Sequence, residues 1–153
     1  MAERFLSNAI NRIDAKGRVS VPAHFRAVLS SRNTQELYAL RALDCAAMDV
    51  GGPDLLDRYE QRIEMEDPFL GSADDMSFFI HGDGAFLKLD KEGRIVVTDF
   101  VREHTGITDE VAFIGRGRFF QMWDPKQAEA HTRAVRQRLL AMRQAARGPE
   151  RME

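Results

Sequence analysis

Cysteine is nearly missing from this 153-residue sequence: Cys45 is the only one. An intrachain disulfide is therefore excluded, and no Cys/His spacing builds a zinc site, so no metal is expected. Long apolar runs are missing as well. Nothing approaches the roughly 18 apolar residues of a membrane span, and Met1 to Ile10 has neither the basic start nor the apolar stretch of a secretion signal. These absences predict a cytoplasmic protein with no membrane partner. Catalytic patterns are also lacking. The four histidines, His24, His81, His104 and His131, are scattered and fall in no metal or nucleophile motif. Asp74, Asp75 and Asp83 sit in a Gly/Ser/Asp-rich stretch that reads as loop. Gly115-Arg116-Gly117-Arg118 reads as a hairpin turn, because no helix follows it directly and the Walker pattern is absent. No enzymatic activity, cofactor or small-molecule substrate is expected on these grounds.

A strong net charge is missing too, since 22 Lys and Arg meet 24 Asp and Glu for a sum of -2. What is present is segregation. Residues 1–41 carry seven basic against three acidic side chains, residues 42–83 two against eleven, and residues 84–153 thirteen against ten. A nucleic-acid partner leaves a basic footprint somewhere on a protein, and a solvated acidic helix explains the middle equally well.

The second signal is an internal repeat. Asp14-Ala15-Lys16-Gly17-Arg18-Val19-Ser20-Val21-Pro22-Ala23-His24-Phe25-Arg26 aligns without gaps on Asp90-Lys91-Glu92-Gly93-Arg94-Ile95-Val96-Val97-Thr98-Asp99-Phe100-Val101-Arg102, at an offset of 76. Downstream, Leu37 to Leu40 corresponds to Val111 to Ile114, and Ala47-Met48-Asp49 to Met122-Trp123-Asp124. Within each copy the pattern has a physical reading. The Asp side chain bonds to backbone two residues on, and the Gly supplies the positive φ of a tight turn. A short strand with alternating polarity follows, and then Pro22 or Thr98 opens a short helix, the latter as an N-cap with Gly106 as the stop. Two longer amphipathic helices lie outside the repeats. The span from Asp54 to Glu66 places Leu55, Leu56, Tyr59 and Ile63 on one stripe with an acidic outer surface. Asp124-Pro125 opens a basic helix with His131, Val135, Leu139 and Met142 on its stripe. These two helices are complementary in charge. The chain is thus divided into repeats at 8–52 and 83–126, an acidic helix and linker at 53–82, a basic helix at 127–147 and a flexible tail at 148–153.

Two copies of Asp-x-x-Gly-Arg, each followed by small or β-branched residues and a short helix, resemble the SpoVT/AbrB superfamily of transition-state regulators. The tandem arrangement narrows the likeness. With Leu89-Asp90 before the second turn, Val111-Ala112-Phe113-Ile114-Gly115 after it and Trp123-Asp124-Pro125 at the last helix start, the chain is similar to the MraZ family over residues 5 to 135. That resemblance implies an α+β fold with a mainly β core: a swapped-hairpin β-barrel of the AbrB type, formed by two tandem pseudo-twofold repeats with flanking helices. It also implies a nucleoid-associated regulator of the bacterial division and cell-wall gene cluster, acting on its own promoter as well. The implied partners are double-stranded promoter DNA and further copies of the chain in a ring.

On this view the DNA-binding residues are Lys16 and Arg18 at the first turn and Lys91 and Arg94 at the second, with Arg12 and Lys88 as backbone contacts from the preceding strands. Asp14, Gly17, Asp90 and Gly93 build the turns. An arginine can donate two parallel hydrogen bonds to guanine in the major groove, while a lysine serves phosphate as a point charge. A second reading stays open, in which Arg18 and Arg94 only pair with Asp14 and Asp90 across their own turns. Glu92, standing where the first copy has Lys16, makes the second tip the weaker attraction for phosphate. Two other function classes remain as rivals: an AbrB-like antitoxin, which usually carries one copy of the unit, and a protein-binding scaffold without DNA activity.

Overall fold

The structure is a computed structural model that describes residues 4–67, 69 and 71–151, with side chains through Gly148. Its elements come in two similar runs. The first comprises β1 (Asn8–Arg12), β2 (Arg18–Ser20), α1 (Ala23–Ser31), β3 (Glu36–Arg41), β4 (Ala47–Gly51) and α2 (Pro53–Glu64). After α3 (Ser72–Ser77) and a π-helical turn at Phe78–Gly82 comes the second: β5 (Gly84–Lys88), β6 (Arg94–Val96), α4 (Asp99–Thr105), β7 (Glu110–Gly115), β8 (Phe120–Trp123) and α5 (Pro125–Arg151).

The architecture is α+β, with antiparallel sheets of six strands, ordered β1-β7-β8-β4-β3-β5, and of two strands, β2-β6. The runs interleave instead of folding side by side. β1 pairs with β7, β5 with β3, β4 with β8 and β2 with β6, so four strand pairs join one half to the other. The registers reveal a pseudo-twofold relation. Val19 faces Ile95, its own equivalent, in the small sheet, and Asp49 faces Gln121 in the large one.

This pairing corrects the downstream end of the repeat. Tyr38 faces Gly51 while its counterpart Ala112 faces Trp123, so Asp49 is equivalent to Gln121 and not to Asp124. The cause is turn length. Six residues lie between Arg41 and its partner Met48, but four between Gly115 and its partner Phe120, and the tighter turn uses Gly117 at φ 79°.

The strand ladders do not close into a barrel among the described residues. β1 and β5 end the six-stranded sheet, and no ladder joins them to β2 and β6. β2 and β6 are three residues long because the chain turns into a helix at Pro22 (φ -53°) and Thr98 (φ -76°) before either strand can run along its neighbour. Thr98 caps α4 through its hydroxyl, which accepts from the Val101 N–H at 3.4 Å, and Gly106 ends the helix at φ 76°. α1 has no side-chain cap and relies on the proline.

The core lies where the two sheets and the two short helices meet. Phe5, Phe25, Phe113 and Phe120 are each at most 2% exposed, and their rings pack edge-on or tilted. Full burial of each contributes about 1.5–3 kcal/mol. Val19, Val21, Ile95 and Val97 close this core from the small sheet. α2 covers a second cluster with Tyr38, Leu40, Leu55 and Ile80, and α5 a third with Trp123 and Ala128.

Asp74 and Asp75 lie in a helix, α3, and not in a loop. The segment is fastened to the sheet at its C-terminal end: the Tyr38 hydroxyl donates to the Ile80 carbonyl, and Arg41 pairs with Asp83, its Nε 3.0 Å from Oδ2. These long-range anchors lie 42 residues apart, beyond the reach of a local pattern. α5 starts as its sequence predicts, with the Asp124 carboxylate accepting from the Gln127 N–H at 3.2 Å. Its backbone stays helical through Arg151, past the expected start of the tail at 148. Residues 152 and 153 of that tail lie outside the described residues.

Candidate nucleic-acid interface

Each Asp-x-x-Gly-Arg turn is built from its own carboxylate. Asp14 Oδ1 accepts from the backbone N–H groups of Lys16 and Arg18, both at 2.9 Å, and Oδ2 accepts from Arg18 Nε at 3.0 Å. Gly17 takes φ 80°, and its N–H donates to the Asp14 carbonyl at 3.0 Å. The second turn repeats the device. Asp90 accepts from Glu92, Arg94 and Arg94 Nε at 2.9, 2.9 and 3.0 Å, and Gly93 takes φ 79°. The Arg18 backbone bond holds the Asp14 carboxyl below its ordinary range; desolvation opposes it, and the Lys16 backbone bond and the Arg18 guanidinium add to the lowering. Asp90 is lowered in the same way by Arg94 and Glu92. Both stay ionised at neutral pH.

The two turns are also tied to each other. The Val21 N–H donates to the Gly93 carbonyl at 2.9 Å, and the Val97 N–H to the Gly17 carbonyl at 2.8 Å. Together with the antiparallel β2–β6 ladder, these bonds join the two turns into one platform with a turn at each end, and Arg94 Nη1 reaches Asp14 of the first turn at 3.9 Å. Of the anticipated residues, Arg18 and Arg94 are thereby held in one ladder, Arg18 opposite Val96 and Arg94 opposite Ser20, while Lys16 and Lys91 stand in the turn that precedes each arginine. Arg12 and Lys88 are exposed at the last positions of β1 and β5, two residues before Asp14 and Asp90, and each stands opposite a glutamate across its strand pair, Glu110 and Glu36 respectively.

The tips differ in how much of their arginine is committed. Arg94 meets three carboxylates: Asp90 at 3.0 Å, Glu92 at 3.1 Å and Asp14 of the other turn at 3.9 Å. Arg18 meets Asp14 alone, through Nε. Its two terminal nitrogens have no protein partner among the described residues, and 28% of its side chain is exposed. Asp14 therefore holds the guanidinium from behind while leaving the end that forms a parallel pair of hydrogen bonds with a planar acceptor. Pairing across the turn and outward donation are compatible in Arg18.

Arg26 was missed by the sequence reading. It lies over the second turn, so that a Cβ on Gly93 would sit 2.2 Å from its Cδ, and its Nε donates to the Val21 carbonyl at 3.0 Å. With Lys88 and Lys91 it lines a hollow of about 610 Å³ that also includes Asp90. The available signal was its coincidence with Arg102 in the repeat. Arg102 makes the matching bond to Val97 and a second to Thr108.

Three of the histidines make contacts within the fold. His81 bridges Ser77 and Glu60, His104 bonds to the Cys45 carbonyl, and His131 stacks on Trp123 with centroids 4.7 Å apart. Among the described residues no group of three His, Cys, Asp or Glu side chains is placed to hold a metal ion, and no helix is long and apolar enough to cross a membrane.

Comparison with known proteins decides the family. The transcriptional regulator MraZ of Rhizobium johnstonii is 57% identical over 136 residues, which cover 87% of this chain and 94% of that protein. This chain belongs to the MraZ family. The MraZ regulator of Rhizobium rhizogenes is 56% identical over 143 residues, covering 93% of this chain and 98% of its own, and that of Xanthobacter autotrophicus is 38% identical over 143 residues, covering 94% and 91%. No family model matches the chain. At 93% and 94% of this chain, the shared lengths with the Rhizobium rhizogenes and Xanthobacter autotrophicus regulators are long enough to take in both turns.

Proposed function

We propose that this chain is a sequence-specific DNA-binding regulator of transcription that presents the paired turns to the major groove. The observation that carries this reading is the geometry of Arg18: a guanidinium fixed from behind by Asp14, with its terminal nitrogens unpartnered among the described residues. The relatives' names, transcriptional regulators, agree with that reading. A two-stranded ribbon fits the major groove, and an arginine end matches the O6 and N7 acceptors of guanine. Lys16 next to it, and the Arg26–Lys88–Lys91 hollow behind the second tip, supply phosphate contacts that set register. Arg94, held by three carboxylates, contributes less.

We read the two sheets as a swapped-hairpin barrel left open between β1 and β2 and between β5 and β6, where single hairpin bonds from Asp14 to Arg18 and from Asp90 to Arg94 bridge the gap. One platform offers few contacts, and one good bidentate pair contributes about 1–3 kcal/mol of discrimination. Several copies in a ring engage repeated DNA boxes at once, which makes later contacts intramolecular. The regulated genes on this reading are those of division and cell-wall synthesis, together with the chain's own promoter, in the cytoplasm at the nucleoid. Footprinting on DNA upstream of its own gene tests this. Protected boxes in direct repeat near one helical turn support it, and undiminished affinity after shifting one box by half a turn contradicts it.

A further inference from the structure

α5 runs for 27 residues, about 40 Å at 1.5 Å per residue, and among the described residues only its first part packs on the sheet. Ala128, His131 and Val135 line a groove on the outer face of the large sheet. The same stripe then continues into solvent. Every side chain from Arg136 to Arg147 is exposed, including Leu139, Leu140 and Met142 at 59%, 54% and 67%. Residues 130–148 contain five arginines and no acid. A cationic helix end with an apolar stripe is marginal in water by itself, because most helix stability in proteins comes from packing such a stripe.

The groove has about 1010 Å³ of free volume, with Asp49, Gln121 and Trp123 among its lining and Tyr59, Met76, Phe79 and Ile80 facing α5 from the segment of α2 and α3. That segment matches the helix end in character and opposes it in charge. Residues 53–83 hold nine acids and two arginines. Met65 and Phe78 are 85% and 81% exposed there, with Leu43 on the groove lining at 83%, among the exposed carboxylates Glu64, Glu66, Asp67, Asp74 and Asp75.

We propose that the distal half of α5 of one copy docks across the groove and the acidic α2–α3 segment of a second copy, Leu139 and Met142 against its apolar side chains and the arginines against its carboxylates. The donor and acceptor patches are different parts of the surface, so the contact is heterologous and either closes into a ring or is exchanged reciprocally. It rests on the oligomeric reading above and names the surfaces that would make it. Exposed patches with apolar residues ringed by polar ones mark interaction sites of this kind, and opposite charges select the partner and suppress like-with-like contacts.

The test is light scattering on the full chain with paired charge reversals, each variant checked for native circular dichroism. Arg136→Glu with Arg143→Glu reverses the donor; Glu64→Lys with Asp75→Lys reverses the acceptor. Either pair alone should lower the mass toward the 17.4 kDa monomer, an equimolar mixture of the two should recover a larger assembly, and Leu139→Asp should dissociate the wild type without any charge reversal. A wild-type chain that is already monomeric, reversals that leave its mass unchanged, or a mixture that stays monomeric overturns the docking. Promoter binding measured in parallel keeps the two claims apart: loss of the docking with intact DNA binding leaves the regulatory reading standing, and the converse leaves the docking standing.

Discussion

Replacing each turn glycine by alanine separates what the two tips have in common from what distinguishes them. Gly17 and Gly93 have nearly the same φ, 80° and 79°, and forcing a Cβ into that left-handed region costs about 1–2 kcal/mol at either site. A Cβ on Gly17 meets nothing within 4 Å, whereas one on Gly93 sits 2.2 Å from Arg26 Cδ and 3.0 Å from its Nε. Arg26 must swing away and give up its 3.0 Å bond to the Val21 carbonyl. A charged hydrogen bond contributes about 1.5–3 kcal/mol, and because Arg26 is exposed and rehydrates, the loss falls at or below the lower end, about 1–1.5 kcal/mol. Gly93→Ala should therefore lower Tm by about 2–6 °C more than Gly17→Ala, at roughly 2–4 °C per kcal/mol for a chain of this size. Thermal and urea unfolding of both variants, in the wild type and in an Arg26→Ala background, measures it. The excess should vanish once Arg26 is gone. Equal costs in the wild type, or an excess that survives Arg26→Ala, refutes the asymmetry drawn here.

Burial pushes the Asp49 carboxyl above its ordinary 3.8, against the hydrogen bonds from Gln121 and Tyr59 that lower it. A carboxyl raised in the folded state contributes stability that is full below its unfolded value and lost as pH rises through its folded value. Asp49→Asn should thus melt above the wild type at pH 7, with the gap closing toward pH 3; a gap that widens on acidification contradicts this. Phe113→Ala removes a ring with 0% exposure that packs on Phe25 and Phe120, and urea unfolding should show a loss of about 3–5 kcal/mol. Lys16→Ala should weaken promoter binding at all sequences alike and reduce the slope of log affinity against log salt by about 1, measured by fluorescence anisotropy over a salt series.

Much of the site was legible because it is local. Asp14 to Arg18 and Asp90 to Arg94 contain within five residues the carboxylate, the glycine and the arginine that make the turn, so one repeat predicts the other. Thr98 and Gly106 were readable as helix boundaries for the same reason. The losses came wherever tertiary partners decide. Asp74 and Asp75 are helical in a segment fastened by Tyr38 and Arg41 from β3, and no pattern within 72–83 reports those anchors. Asp49 and Gln121 face each other because two hairpin turns differ in length, which a gapless alignment hides. The placement of Arg26 over Gly93 joins residues 67 positions apart, although its recurrence at Arg102 marked it as part of the repeat.

The central claim is that Arg18, held by Asp14 and open at its end, reads a base. The direct measurement is affinity of the full chain for its own promoter fragment at fixed salt, comparing wild type, Arg18→Ala and Arg94→Ala, with assembly mass checked in each. The account predicts that Arg18→Ala weakens specific binding by about 5- to 150-fold, equivalent to 1–3 kcal/mol, while nonspecific binding changes far less and Arg94→Ala has the smaller effect. Unchanged affinity and specificity in an Arg18→Ala protein with wild-type mass would contradict it.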